Sequence, residues 1–189
     1  MIVTERAERT PGHREDDVTI RQIAADEFAA SVQAFAMLLI DAVESGASIS
    51  FVDVPTQAEA VAFWQALGPD VRDGTRLLLG AFDADGMLAG TVQVVRERSL
   101  NKRHRGDIVK LLVHRSARRR GVGAALMEAA EAAARAAGLA LLVLDTWPGS
   151  AADRLYDGLG WARAGVIPKA ALDRHGDPTD LVIFYKPLT

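Results

Sequence analysis

The stretch Val109–Gly123, VKLLVHRSARRRGVG, constrains this chain more than any other, because it joins a strand to a helix through a basic, glycine-marked turn. Lys110-Leu111-Leu112-Val113 is an apolar run of strand length. His114 to Arg120 breaks the periodicity and supplies Arg115, Arg118, Arg119 and Arg120. From Val122 the spacing turns helical, with Val122, Ala125, Leu126, Ala129 and Ala133 on one face. Gly121 and Gly123 fall where that helix begins and leave backbone N–H groups uncovered by side chains. The first N–H groups of a helix have no internal partners, and the helix dipole places partial positive charge there. Guanidinium groups nearby add full charge and a fork that matches phosphate oxygens. The local chemistry is that of a phosphate or pyrophosphate cradle. The plain alternative is a solvated basic turn.

Two familiar phosphate loops are excluded. A Walker loop needs Gly-Lys-Ser/Thr, and here Gly123 is followed by Ala124-Ala125. A dinucleotide fingerprint needs a third glycine where Leu126 stands. Arg118-x-x-Gly121-x-Gly123, directly after a strand ending in Val113, resembles instead the pyrophosphate motif of the GCN5-related N-acetyltransferase (GNAT) family. Ala152-x-x-Leu155-Tyr156-x-x-Leu159-Gly160-Trp161 resembles a second block of that family, with Trp161 in place of phenylalanine. The two blocks stand in the order and at roughly the separation that the family requires.

Composition narrows the rest. The chain has 189 residues, 49% of them apolar, which is enough for a single core. Residues 18–189 read as one domain, after a charged tail over 1–17 that contains Pro11-Gly12. A net charge of −3 argues against a general nucleic-acid partner. There is no cysteine, and the histidines at 13, 104, 114 and 175 show no ligand spacing, so no metal is expected. No apolar run reaches membrane-spanning length, and the N-terminus lacks an apolar segment of signal type. The expectation is a cytoplasmic protein with no membrane partner.

In chain order, Val18–Ile23 alternates as a strand, and Asp26 is placed to cap a helix carrying Phe28, Val32, Phe35, Leu38, Leu39 and Ala42. A connection follows over Gly46–Val54, with an extended piece at Ile49–Val52. Thr56-x-x-Glu59 is a capping box for a second helix that stops at Gly68-Pro69. Arg76–Phe82 and Leu88–Arg96 form a hairpin around Asp83-Ala84-Asp85-Gly86. Leu100–Gly106 is a polar loop and Asp107–Val113 a strand. The glycine-marked helix runs to Ala137 and stops at Gly138. Ala140–Leu144 reads as a strand buried on both faces, Ser150 opens a further helix, and Trp161–Val166 and Leu181–Lys186 are the last strands around a loop at Pro168–Pro178. The layout is α+β. The resemblance implies a GNAT-type mixed, mostly antiparallel central sheet flanked by helices.

The resemblance also implies acetyl-CoA as donor and an amine as acceptor. The main chain of Leu111, Leu112 and Val113 would hold the pantetheine. N–H groups from Arg119 to Ala124, through Arg120, Gly121, Val122 and Gly123, would hold the pyrophosphate, with Arg118 and Arg119 as charge partners and Arg120 either on phosphate or in solvent. Tyr156 matches the family's tyrosine and is the expected general acid, since a phenol is protonated at neutral pH. An ammonium acceptor must lose a proton, and Asp145 is the first candidate base, with Asp107 second. Gln93 on a neighbouring strand is placed to bind the substrate or a relay water. Relatives often carry asparagine at the position of Gly149, so Ser150 is the remaining side chain for that cofactor contact.

A closer resemblance, to the tabtoxin-resistance type of acetyltransferase, is carried by Asn101, His104-Arg105, Val109-Lys110-Leu111, Leu144-Asp145-Thr146 and Ile183-Phe184-Tyr185-Lys186. It implies a small polar acceptor such as an amino-acid-like toxin, antibiotic or metabolite. Competing readings are a protein or peptide N-acetyltransferase and an acyl-CoA-binding sensor without turnover. Edge strands such as the last could pair two subunits into a homodimer.

Overall fold

The computed structural model describes residues 18–47, 51, 53–173 and 175–188. The expected tail, 1–17, lies outside them, as does most of the extended piece expected at 49–52. In order the elements are β1 (Thr19–Gln22), α1 (Ala25–Glu44), α2 (Gln57–Gln65), α3 (Gly68–Arg72), β2 (Arg76–Phe82), β3 (Leu88–Arg96), β4 (Arg105–Val113), α4 (Val122–Ala136), β5 (Leu141–Thr146), α5 (Ala151–Gly158), β6 (Ala162–Leu172) and β7 (Pro178–Pro187). The strands form one seven-stranded sheet in the order β1-β2-β3-β4-β5-β7-β6. Every neighbouring pair is antiparallel except β4 and β5.

The sheet separates two cores. One face carries Leu77, Leu79, Val92, Val94, Ile108, Leu142 and Leu144 against Leu126, Met127 and Ala130 of α4 and Tyr156 of α5. The other carries Leu78 and Leu112 against Phe28, Phe35 and Leu39 of α1, Trp64 of α2 and Val71 of α3. Period-two alternation along each strand therefore decides which helices a residue meets. Phe35 and Trp64 centre the second core, with ring centroids 4.8 Å apart.

Local signals explain most boundaries. Thr56 Oγ1 accepts from the Glu59 N–H and the Glu59 carboxylate accepts from the Thr56 N–H, a complete capping box. Asp83 Oδ1 accepts from the N–H groups of Asp85 and Met87 and shapes the β2–β3 turn. Gly138, at φ 78°, follows the end of α4 as expected.

Other expectations need correction. Asp26 is not the cap of α1. Ala24 holds that place, and Asp26 lies in the first turn. Gly68-Pro69 does not end the helical region but opens α3, where a first-turn proline loses no hydrogen bond. The buried seam of α4 runs through Val122, Leu126, Ala130 and Ala134 and includes Met127 and Glu131, while Ala125, Ala129 and Ala133 are only half-buried. β5 is not buried on both faces. Leu142 and Leu144 are buried, whereas Leu141 and Val143 on the opposite face are only half-buried, because no β5 residue joins the core that α1–α3 cover. The expected loop at Pro168–Pro178 is mostly strand: β6 runs to Leu172 and β7 starts at Pro178. β6 is the sheet's edge, where Pro168 removes no ladder bond that a central strand would need.

Candidate active site

The parallel ladder between β4 and β5 is only three residue pairs long: Arg105–Leu141, Gly106–Leu142 and Asp107–Val143. Beyond Asp107 the strands part, and among the described residues the β5-facing edge of β4 from Ile108 to Val113 has no strand partner. The opposite edge of β4 stays paired, with Leu112 facing Thr91 and Val113 facing Gly90 on β3. In that pairing Val109 faces Gln93 and Leu112 faces Thr91, so Val92 stands opposite both Lys110 and Leu111. The extra residue is a bulge, and Lys110 adopts the left-handed region at φ 55°. For a residue with a side chain this costs about 1–3 kcal/mol. The bulge re-aims β4 just where its free edge begins.

At the end of β4 a 3-10 turn, Arg115–Ala117, leads to α4. Arg119 at φ 63° and Gly121 at φ 81° are both left-handed, and Gly121 caps α4 without a side-chain hydrogen bond. The first N–H groups of α4 are therefore left to solvent or to a ligand. A Cβ added at Gly123 would stand 3.4 Å from Leu155 Cδ2 and 3.8 Å from Val113 Cγ2, so α4, α5 and the end of β4 converge there. These features fit a phosphate held mainly by backbone.

The cations serve less uniformly than the sequence suggests. Arg115 pairs with Asp41 and, at 2.7 Å, with Glu44 on α1. Arg118 donates from Nε to the Val113 carbonyl at 3.0 Å and from Nη2 to Ser45 Oγ. Both tie the turn to α1, so Arg118 is not an uncommitted charge partner. Arg120 faces a groove of about 960 Å³ along α1, lined also by Met37, Asp41, Asp85, Met87 and Arg115. Neither Tyr156 nor Asp145 reaches that groove. Arg119 is exposed, and among the described residues its guanidinium has no ion-pair or hydrogen-bond partner. It is the cation left for a phosphate.

On the far side of the seam, α5 presents Tyr156. Its ring packs 6.0 Å from Trp161 and 5.7 Å from Phe184, and the residue is only 5% exposed. Burial, and then the Asp145 carboxylate, push its phenol above the ordinary value, so it is protonated throughout the neutral range. No described residue hydrogen-bonds its hydroxyl. Asp145, two residues past the last β4–β5 pair, is also raised. Burial is the largest cause, Asp107 adds to it, and Lys110 opposes it. Asp107 sits at the closed end of the seam and is bound to Arg105 at 2.9 Å. Ser150 caps α5 by accepting from the Asp153 N–H at 3.0 Å, so its hydroxyl already has a structural task. Gln93 is fully buried and its Oε1 accepts from Arg76 Nη1. That burial withholds it from direct substrate contact in this arrangement.

Sequence reasoning passed over Lys110, Arg76 and Phe63. The Lys110 ammonium lies 5.6 Å over the Phe63 ring, and burial, followed by the Arg76 charge, lowers its pKa. A signal was present: Lys110 is the single charge in an otherwise apolar strand run. Among the described residues no His, Asp or Glu cluster is placed to hold a metal ion, and no helix is long and apolar enough to cross a membrane.

The family model for the acetyltransferase (GNAT) family matches residues 50–161, more than half of the chain, and contains the seam, the cradle and Tyr156. The chain belongs to the GNAT acetyltransferase family. Solved GNAT structures share its fold. The yncA protein of Salmonella typhimurium, solved with its cofactor acetyl-CoA, is 20% identical over 92% of this chain and 95% of its own, with a TM-score of 0.73. A phosphinothricin acetyltransferase from Sinorhizobium meliloti, in complex with acetyl-CoA, is 18% identical over 90% and 88%, with a TM-score of 0.72. A ribosomal-protein-alanine N-acetyltransferase from Brucella melitensis is 21% identical over 89% and 99%, with a TM-score of 0.73. One GNAT fold thus serves both small-molecule and protein acceptors, and fold alone does not choose between them.

Proposed function

We propose that this GNAT protein transfers the acetyl group of acetyl-CoA to the amine of a small polar molecule, an amino-acid-like toxin, antibiotic or metabolite. One observation carries the reading: the free edge of β4 runs from the glycine-marked start of α4 to a seam across which Tyr156 presents an unpartnered hydroxyl. Acetyl-CoA supplies an acyl carbon activated as a thioester. Backbone N–H groups from Arg119 to Ala124, with the Arg119 guanidinium, hold the pyrophosphate. The free backbone edge at Leu111, Leu112 and Val113 binds the pantetheine amides as an added strand would be bound, and an N–H there polarises the thioester carbonyl.

The amine nitrogen bonds to the acyl carbon as the carbon–sulfur bond breaks, and the bonding pair leaves on sulfur. The ammonium proton passes to Asp145, directly or through water. Burial raises Asp145 as an acceptor of that proton. The Tyr156 hydroxyl donates to the developing thiolate. Because its pKa is raised, it acts first as a hydrogen-bond donor and gives up the proton only as negative charge accumulates on sulfur.

The first test is thermal melting with acetyl-CoA, CoA and ATP. At a hundredfold excess over Kd, binding adds about 2.7 kcal/mol, or about 5–10 °C for a chain this size. Stabilisation by both CoA species but not by ATP, followed by amine-dependent thiol release, supports the reading. No shift with either CoA species refutes it.

A further inference from the structure

α5 has eight residues, Ala151–Gly158, too few to hold a helix in water unaided, so its surroundings decide how Tyr156 is aimed. Its start is fixed by Ser150 and by Asp153, whose Oδ2 accepts from the Gly149 N–H at 2.7 Å. Its end is fixed by a buried acid that the acetyl-transfer steps leave unused. Glu131 lies on the buried seam of α4, yet its Oε1 accepts from Trp161 Nε1 at 3.1 Å and from Lys186 Nζ at 2.7 Å, and Arg135 Nη2 stands 3.6 Å from its Oε2. The same Lys186 ammonium donates to the carbonyl of Leu159, the C-cap of α5, at 2.9 Å. Trp161 is joined to Tyr156 twice: its backbone N–H donates to the Tyr156 carbonyl at 3.0 Å, and its ring packs on the Tyr156 ring. One carboxylate on α4 thus holds both groups that follow Tyr156 in the chain.

Two facts set this arrangement apart from ordinary core packing. A buried ion pair is a poor source of stability, since apolar side chains of similar volume do as well, whereas it does define one geometry. Trp161 also stands where the resembled family block carries phenylalanine. A phenylalanine would fill the place but has no N–H to give, so the bond to Glu131 is an addition made by this chain. Tyr156 depends on such support. Its hydroxyl has no partner among the described residues, so the direction of the phenol follows from Trp161 on one side of the ring and Phe184 on the other. A proton donor must lie within hydrogen-bond reach of the leaving sulfur, and a misplacement of about 1 Å can cost about 10²-fold in rate. Glu131 also sits about two and a half turns along the helix whose first N–H groups face the phosphate, so it refers the donor to the same body that holds the cofactor.

We infer that Glu131 is a positioning residue for acetyl transfer: through the Trp161 indole it holds the Tyr156 ring so that the hydroxyl stays aimed at the leaving sulfur. The inference rests on the reading of Tyr156 as proton donor and adds what orients it.

The test is a pair of double-substitution cycles read by thiol release at saturating substrate: Trp161→Phe and Glu131→Gln, each in the wild-type protein and in Tyr156→Phe. Trp161→Phe is expected to lower kcat about tenfold with the KM for acetyl-CoA within about twofold of wild type, because the cradle and the β4 edge are untouched. Glu131→Gln keeps an oxygen for the indole N–H and is expected to lose less, about threefold. In the Tyr156→Phe background either substitution is expected to change the remaining kcat by less than about twofold, since no hydroxyl is left to aim. Damage to the core would instead lower kcat by the same factor in both backgrounds, and that result overturns the inference. So does a Trp161→Phe protein with wild-type kcat, or one whose loss lies in the KM for acetyl-CoA. Melting curves with and without acetyl-CoA show that each variant is folded. Should Glu131→Gln not fold, the Trp161→Phe cycle decides alone, because it leaves Glu131 paired with Lys186. A Tyr156→Phe protein with undiminished kcat refutes the proton-donor reading instead, and loss of the acetyl-CoA shift in the wild-type protein refutes the donor site.

Discussion

Tyr156→Phe separates chemistry from architecture more cleanly than any other change in this protein. The ring is what the fold uses: it is almost fully buried between Trp161 and Phe184. Phenylalanine keeps that ring and removes only a hydroxyl that has no partner among the described residues. Deleting an unpartnered polar group leaves nothing orphaned, so stability should stay within about 1 kcal/mol of wild type, or rise. In contrast, loss of the proton donor should lower kcat about 10²–10⁴-fold, equivalent to about 2.7–5.4 kcal/mol of barrier. The KM for acetyl-CoA should hardly move, because the cradle and the β4 edge are untouched. The assay pairs a thermal melt with saturating thiol-release kinetics on the same preparation. A variant that turns over within threefold of wild type would refute the argument and leave Tyr156 as a core tyrosine. A variant that loses activity only because it melts early would do the same.

Three further outcomes follow from the site. Asp145→Asn should lower kcat/KM by about 10²-fold or more without lowering the melting temperature at neutral pH. The folded-state pKa of Asp145 is raised, chiefly by burial, so the ionised carboxylate opposes folding above that pKa. The melting gain of the variant should grow as pH rises from the ordinary carboxylate value to the raised one, stay complete above it and vanish below the ordinary range, and a loss at neutral pH would contradict it. At the cradle, Gly121→Ala should destabilise by roughly 1–2 kcal/mol, because φ 81° is left-handed, although no atom crowds the new methyl. Gly123→Ala should instead melt within about 1 kcal/mol of wild type, since its contact at 3.4 Å is ordinary, while acetyl-CoA affinity falls about tenfold. Unchanged affinity in both Gly123→Ala and Gly123→Val would remove the cradle from the argument.

The sequence is legible where the signal is local. Thr56 and Glu59 sit one helical turn apart and reveal their capping box, and Asp83 and Gly86 reveal their turn. The strand–turn–helix from Lys110 to Ala136 is legible for the same reason. Failures occur where distant residues decide. Arg118 looks like a phosphate ligand until Ser45, 73 positions away, is seen to hold it. The outer ends of β6 and β7, past Val166 and before Leu181, hide because their residues are mostly exposed and need no alternation to bury a face, whereas Val182 and Phe184 farther along β7 are core and are legible. The left-handed turn at Lys110 is also silent, since a lysine carries none of the conformational signature that a glycine would. The fold needed few long-range facts, whereas the acceptor side of the site consists of almost nothing else.

The short β4–β5 ladder also changes what sets the width of the reaction cleft. With three pairs the sheet acts as two plates joined at one corner, and such a corner resists spreading poorly at its far end. The gauge is elsewhere. α4 lies against the first plate, and its buried Glu131 takes Trp161 Nε1 at 3.1 Å and Lys186 Nζ at 2.7 Å from the second, while Arg135 Nε reaches the Leu188 carbonyl at 3.1 Å. The distance between the Lys110 wall and the Tyr156 wall is thus set by a polar strut behind the sheet, outside the cleft that it calibrates.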